Sequence, residues 1–105
     1  MTRPLALRLT DAAESDLAEI WATLATDASE AVATRFLTAL EAHFEPLLHF
    51  PLSGAAREHL APDLRVTFHH PYAIYYLPLP DAVVIVRVIH GARDIAAITE
   101  SGGFP

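Results

Sequence analysis

Val83-Val84-Ile85-Val86-Arg87-Val88-Ile89-His90-Gly91-Ala92-Arg93-Asp94 is the stretch that decides how this chain folds. Six of the seven residues from Val83 to Ile89 are β-branched aliphatics. Both faces of such a segment require burial, which places it inside a sheet rather than at its edge. Gly91 and the opposite charges of Arg93 and Asp94 end the run. Arg87 is the exception within it: the stem can line apolar surface while the guanidinium reaches a rim, an acidic partner or a phosphate, because burying the charge unpaired is costly.

Working back from this strand, Tyr72 to Leu79 alternates, with Tyr72, Ile74 and Tyr76 on one side and Tyr75 and Leu77 on the other. Pro78-Leu79-Pro80-Asp81 supplies the turn between the two. Leu64, Val66 and Phe68 alternate with Arg65, Thr67 and His69, and His70-Pro71 marks another turn, so a three-stranded antiparallel meander is expected. At the other end, Arg3 to Leu9 has strand period, with Leu5, Leu7 and Leu9 on one side and Pro4 favouring an edge or a strand start.

Thr10 and Asp11 are alternative caps for a first helix, Asp11 with Glu14 at capping-box spacing. Leu17, Ile20, Trp21 and Leu24 form its apolar stripe, with Asp16 and Glu19 expected to face water. Trp21 reads as a core anchor, or as a rim residue shared with a protein-binding groove, since its indole N–H needs a partner. Ser29 caps a second helix carrying Val32, Phe36, Leu40, Phe44 and Leu47 or Leu48, which Pro46 is expected to kink or end. His43 and His49 read as packing or capping residues. Phe50-Pro51-Leu52-Ser53-Gly54 is an exit loop.

So short a link between the helices predicts an antiparallel helical hairpin. Neither half of the chain can bury its apolar face alone. The expectation is therefore an α+β fold: an N-terminal strand, a helical hairpin, then the meander, with the helices on one side of the sheet. Asp94 can cap a short helix over Ile95, Ala96 and Ile98 or pair with an arginine, and Ser101 to Pro105 reads as a frayed tail.

With 105 residues the chain is expected to be one domain, residues 1–105. The composition, 52% hydrophobic and 19% charged, suits either a dense core or a face reserved for a partner. Cysteine is absent, which removes disulfides and thiolate chemistry and suits a reducing cytoplasm. The N-terminus shows no signal-peptide segment, and no run approaches the roughly 20 apolar residues of a membrane span, so a cytoplasmic protein is expected. Thirteen acids oppose seven arginines and no lysine, giving a net charge of -6. That balance argues against direct nucleic-acid binding by the chain alone, although Arg57, Arg65, Arg87 and Arg93 leave room for a local positive patch in the second half.

Six histidines invite a metal or acid–base reading, but no metal-ligand spacing, Walker loop, GxSxG or dinucleotide glycine pattern is present, so neither a metal nor a cofactor is expected. The one enzymatic reading with physical content is metal-independent RNA cleavage. His69, His70 or His90 would move protons, Arg65, Arg87 and Arg93 would stabilise the phosphorane, and Tyr72 or Tyr75 would stack on a base.

Taken together, Ala13-Glu14-Ser15-Asp16-Leu17-Ala18-Glu19-Ile20-Trp21, Arg35-Phe36-Leu37, Leu40-Glu41, Phe50 to Gly54, Leu60 to Arg65, Tyr75-Tyr76 and Val86 to Asp94 resemble the ParE-type toxins of the RelE/ParE superfamily, known as plasmid stabilisation system proteins. The resemblance implies a toxin held inactive by a ParD-type antitoxin whose C-terminal segment wraps it, and released to inhibit DNA gyrase. RelE-type relatives instead cleave messenger RNA on the ribosome. The missing lysines and the C-terminal Glu100 to Phe104, without tyrosine or histidine, make ribosome-dependent endoribonuclease activity the alternative, beside an inert or regulatory binding module. On the toxin reading, Trp21, Arg65, Arg87 and Arg93 are the expected partner-binding residues.

Overall fold

The computed structural model describes residues 5–91. The Arg3-Pro4 start of the first strand, Arg93, Asp94 with its following helix, and the C-terminal tail lie outside the described residues. The order is β1 (Ala6–Leu9), α1 (Asp11–Asp27), α2 (Glu30–Glu41), α3 (Phe44–His49), β2 (Ala55–Ala56), β3 (Arg65–His69), β4 (Tyr72–Pro78) and β5 (Ala82–His90). The five strands form one sheet in the order β1-β5-β4-β3-β2. β1 runs parallel to β5, and every other pairing is antiparallel. The aliphatic strand β5 is thus flanked on both sides, as its composition requires, and β1 lies at an edge.

Thr10 rather than Asp11 caps α1, its hydroxyl accepting from the Ala13 N–H at 3.0 Å. Ser29 caps α2 in the same way, accepting from Val32 N–H at 3.1 Å. The apolar stripe of α1 packs inward as expected, with Ala13 and Ile20 fully buried and Leu17, Trp21 and Leu24 partly so. On α2 the buried row is Ala33, Leu37 and Leu40; Val32, expected on this face, is exposed, because it lies one residue away from that row. The helix also stops earlier than Pro46 suggests. It ends at Glu41, and Pro46 occupies the first turn of the separate helix α3, where its missing N–H has no intrahelical partner to lose. Leu7, expected to turn inward with Leu5 and Leu9, is exposed on the edge strand.

The helices cover one face of the sheet. Ile20, Leu37, Leu40 and Phe44 pack there against Ile74, Tyr76, Val83, Ile85 and Val88. On the other face Leu64, Val66, Tyr75 and Val86 form a second cluster, over which Leu60 and Ala61 fold. The loop carrying those two residues is closed by Arg57 N–H donating to Leu64 C=O at 2.7 Å, and Asp63 turns it in the left-handed conformation, φ 62°.

One irregularity in β5 organises both faces. Tyr75 pairs with Arg87 but Tyr76 pairs with Ile85, so Val86 is an extra residue, a β-bulge. Before it, Val83 and Ile85 face the helices; after it, Val88 does, while Val86 and Ile89 face the opposite cluster. A uniformly aliphatic run gives no sequence signal for this change of phase, because either phase buries aliphatic side chains.

Candidate protein-docking site

α1 and α2 are joined by two residues, Ala28 and Ser29, and lie antiparallel, with Glu14 beside the Glu41 end and Trp21 against Thr34. Between them runs an open groove of about 450 Å³. Leu9, Leu17, Leu37 and Trp21 give it apolar walls, while Ala18, Thr34 and Thr38 are short enough to leave it open. Thr38 turns its hydroxyl onto Thr34 C=O at 2.8 Å, and Thr34 Oγ1 accepts the Trp21 indole N–H at 3.2 Å. Trp21 packs on the core cluster with its ring half-buried in the groove wall. The charged lining residues are two acids, Glu14 and Glu41.

Arg65 and Arg87 sit elsewhere and are engaged within the chain. Arg65 Nη1 donates to Leu52 C=O at 3.0 Å and to Gly54 C=O at 2.8 Å, holding the exit loop against β3. The same loop is fixed by Tyr76, whose hydroxyl donates to Pro51 C=O at 2.9 Å and accepts Gly54 N–H at 2.8 Å. Gly54 is required there, since a Cβ would lie 2.5 Å from the Tyr76 hydroxyl and 2.7 Å from Val66 C=O. Phe50 and Leu52, at 69% and 65% exposure, are consequently displayed on a tethered loop rather than a loose one.

Arg87 forms a bidentate pair with Asp16 of α1, Nε to Oδ2 at 2.8 Å and Nη2 to Oδ1 at 3.0 Å. The bond to Asp16 raises the pKa of the guanidinium, so this cation is fixed. Asp16 was expected to face water; its side chain is only 13% exposed, because β5 ends its pairing with β1 at Ile85 and presents Arg87 and the Val88 N–H to the helix beyond that point. The i, i+3, i+4 pattern places Asp16 off the apolar stripe but cannot reveal that an arginine 71 residues later waits beside it.

Of the described groups considered for RNA cleavage, His70, Tyr72 and His90 line one pocket of about 390 Å³ at the β3–β4 turn, but neither Arg65 nor Arg87 lines it. Arg65 and His69 occupy opposite ends of β3, about 13 Å apart at strand rise. His90 stacks edge-on against Tyr72 with ring centroids 5.3 Å apart. Tyr75 is buried, and burial pushes its hydroxyl pKa up. Among the described residues no group of three or more His, Cys, Asp or Glu is arranged to hold a metal ion, and no helix is long and apolar enough to cross a membrane.

Comparison with known proteins agrees with this architecture. A chain of the chromosomal ParDE toxin–antitoxin system from P. aeruginosa superimposes with a TM-score of 0.74 at 19% identity, covering 85% of this chain and 98% of that one. A chain of the toxin–antitoxin complex RelBE2 from Mycobacterium tuberculosis superimposes with a TM-score of 0.58 at 26% identity, covering 84% and 99%. No curated protein matches the sequence. The family model described as "ParE toxin of type II toxin-antitoxin system, parDE" matches residues 7–95, nearly the whole chain, and the protein therefore belongs to the ParE toxin family of type II toxin–antitoxin systems.

Proposed function

We propose that this toxin acts by binding a protein target, DNA gyrase, rather than by cutting RNA, and that a ParD-type antitoxin neutralises it by laying an amphipathic segment into the groove between α1 and α2. The observation that carries the antitoxin site is the groove itself, an apolar trough open to solvent with Trp21 in its wall. Helix-in-groove recognition takes this form, and a buried aromatic at the centre of such a contact is a common source of binding energy. Glu14 and Glu41 on its margins favour an occupant with arginine or lysine beside its apolar row. The antitoxin as a partner also follows from family membership, and both similar solved chains come from toxin–antitoxin systems.

The preference for binding over cleavage rests on the engagement of Arg65 and Arg87 in the scaffold, neither of which lines the pocket that holds His70, Tyr72 and His90. Gyrase as the target rests on the ParE family alone. The test expresses the chain with and without the ribbon-helix-helix gene expected beside it, then adds purified toxin to gyrase. Loss of supercoiling, reversed by antitoxin, is the expected result. Unchanged supercoiling at excess toxin overturns the target, and ribosome-dependent cleavage of messenger RNA would establish the nuclease in its place. An inert module would show neither activity and no growth arrest.

A further inference from the structure

His43 at the α2–α3 corner and His69 at the end of β3 meet nitrogen to nitrogen: His43 Nε2 lies 2.8 Å from His69 Nδ1, with ring centroids 4.8 Å apart. A hydrogen bond between two imidazoles needs one N–H and one lone pair, so the contact holds a single proton. One charged ring can still donate to its neutral neighbour, but when both rings are charged two donors and two positive charges face each other. Both rings are half-buried, and their aromatic neighbours carry no charge to offset a second one. Phe36 of α2 covers His69 edge-on at 5.1 Å and touches Tyr72 at 5.8 Å, and Tyr72 in turn meets His90. The titratable groups of α3, Glu45 and His49, pair with each other at 3.4 Å. Among the described residues neither ring of the pair has a carboxylate as an ion-pair partner. Burial, followed by the neighbouring His43 charge, holds the His69 pKa below the usual histidine value, in the direction the geometry requires.

We propose that the His43–His69 contact is a proton-operated latch, which seats the α2–α3 corner on the sheet while at least one of the two rings is neutral and releases that corner when acidification charges both. The sign follows from linkage: His69 takes up its proton less readily folded than unfolded, so the latch contributes its full stability above the unfolded histidine pKa and loses it as pH falls through the lower folded value. α2 also supplies Leu37, Thr38 and Glu41 to the groove, so the shape of that groove would become proton-dependent. That consequence rests on the docking reading, whereas the latch itself does not.

The test is a histidine ring titration of the full, partner-free chain by NMR from about pH 8 to about pH 5, with backbone amides followed in the same samples. The expected result is two resolved steps, the second accompanied by shifts of the Ala42, Phe44 and Phe68 amides. In His69→Gln, which keeps hydrogen-bonding capacity without titrating, the second step should be absent and the urea midpoint should fall less on acidification than in the parent. A single unsplit titration of both rings in the parent overturns the latch, and so does a split without movement at those amides. The parent titration decides the matter even where the variant fails to fold. Antitoxin binding is not needed at any step, so failure of the docking reading leaves this result standing.

Discussion

The carboxylate of Asp16 is held by three donors of β5: Nε and Nη2 of Arg87 at 2.8 and 3.0 Å, and the Val88 backbone N–H at 2.9 Å. Beyond Ile85 the strand has lost β1 as a neighbour, and the start of α1 takes its place. Thr10 N–H donates to Ile85 C=O at 3.0 Å, its hydroxyl donates to the bulged Val86 C=O at 2.7 Å, and Asp16 closes the row one turn further on. A helix N-terminus thus completes the edge of a sheet with side-chain oxygens.

Asp16→Ala should lower stability by about 2–3 kcal/mol, because it leaves a partly buried guanidinium and a backbone N–H without their acceptor. Asp16→Asn, which can still accept from Val88, should lose about half as much. Urea denaturation of the two variants beside the parent checks this ordering; equal losses would mean that the acceptor retained by asparagine contributes nothing without the charge.

Thr10→Ala removes both the α1 cap and the bond to Val86, and should cost about 2 kcal/mol, while Thr10→Ser keeps both and should cost much less. Thermal unfolding resolves the difference. If the bulge depends on Thr10, amide exchange at Val86 and Arg87 should also quicken in the alanine variant only.

Gly54→Ala should be poorly tolerated, about 1–3 kcal/mol, since its Cβ meets both the Tyr76 hydroxyl and the Val66 carbonyl. Removing the hydroxyl in Tyr76→Phe should not rescue it, because the backbone contact at 2.7 Å remains. Stability measured across the four members of this cycle tests the point, and full rescue by phenylalanine would assign the clash to the hydroxyl alone.

Arg65→Ala should free the exit loop without unfolding the sheet, so that limited proteolysis cuts near Leu52 faster while the global unfolding free energy measured in urea falls by only about 1 kcal/mol. Parent-like cleavage would show that Tyr76 holds the loop unaided.

On the docking reading, Trp21→Ala should weaken antitoxin binding by tenfold or more, and Glu14→Lys with Glu41→Lys should weaken it further and reverse its salt dependence. Calorimetric titration of the folded variants with the antitoxin measures both. Unaltered affinity would place the antitoxin elsewhere on the toxin.

Much of this protein is legible in the order of its residues. The strand periodicities, the Ser29 cap, the α1 stripe from Leu17 to Leu24 and the aliphatic density of β5 are local patterns of burial and hydrogen bonding, and they set the α+β arrangement with β5 inside the sheet. The motifs carrying the ParE resemblance are likewise contiguous. Tertiary structure alone decided what those residues do to one another. Which phase of β5 faces the helices depends on the bulge at Val86, invisible where every neighbouring side chain is aliphatic. Asp16 reads as solvent-facing until β5 outruns β1 and brings Arg87 to it, and the exit-loop carbonyls that Arg65 engages reach it only through the fold of the chain. Asp16, Arg65, Arg87 and the His43–His69 pair are satisfied by partners 11 to 72 residues away, a choice made by the packing of the sheet and helices rather than by local propensity.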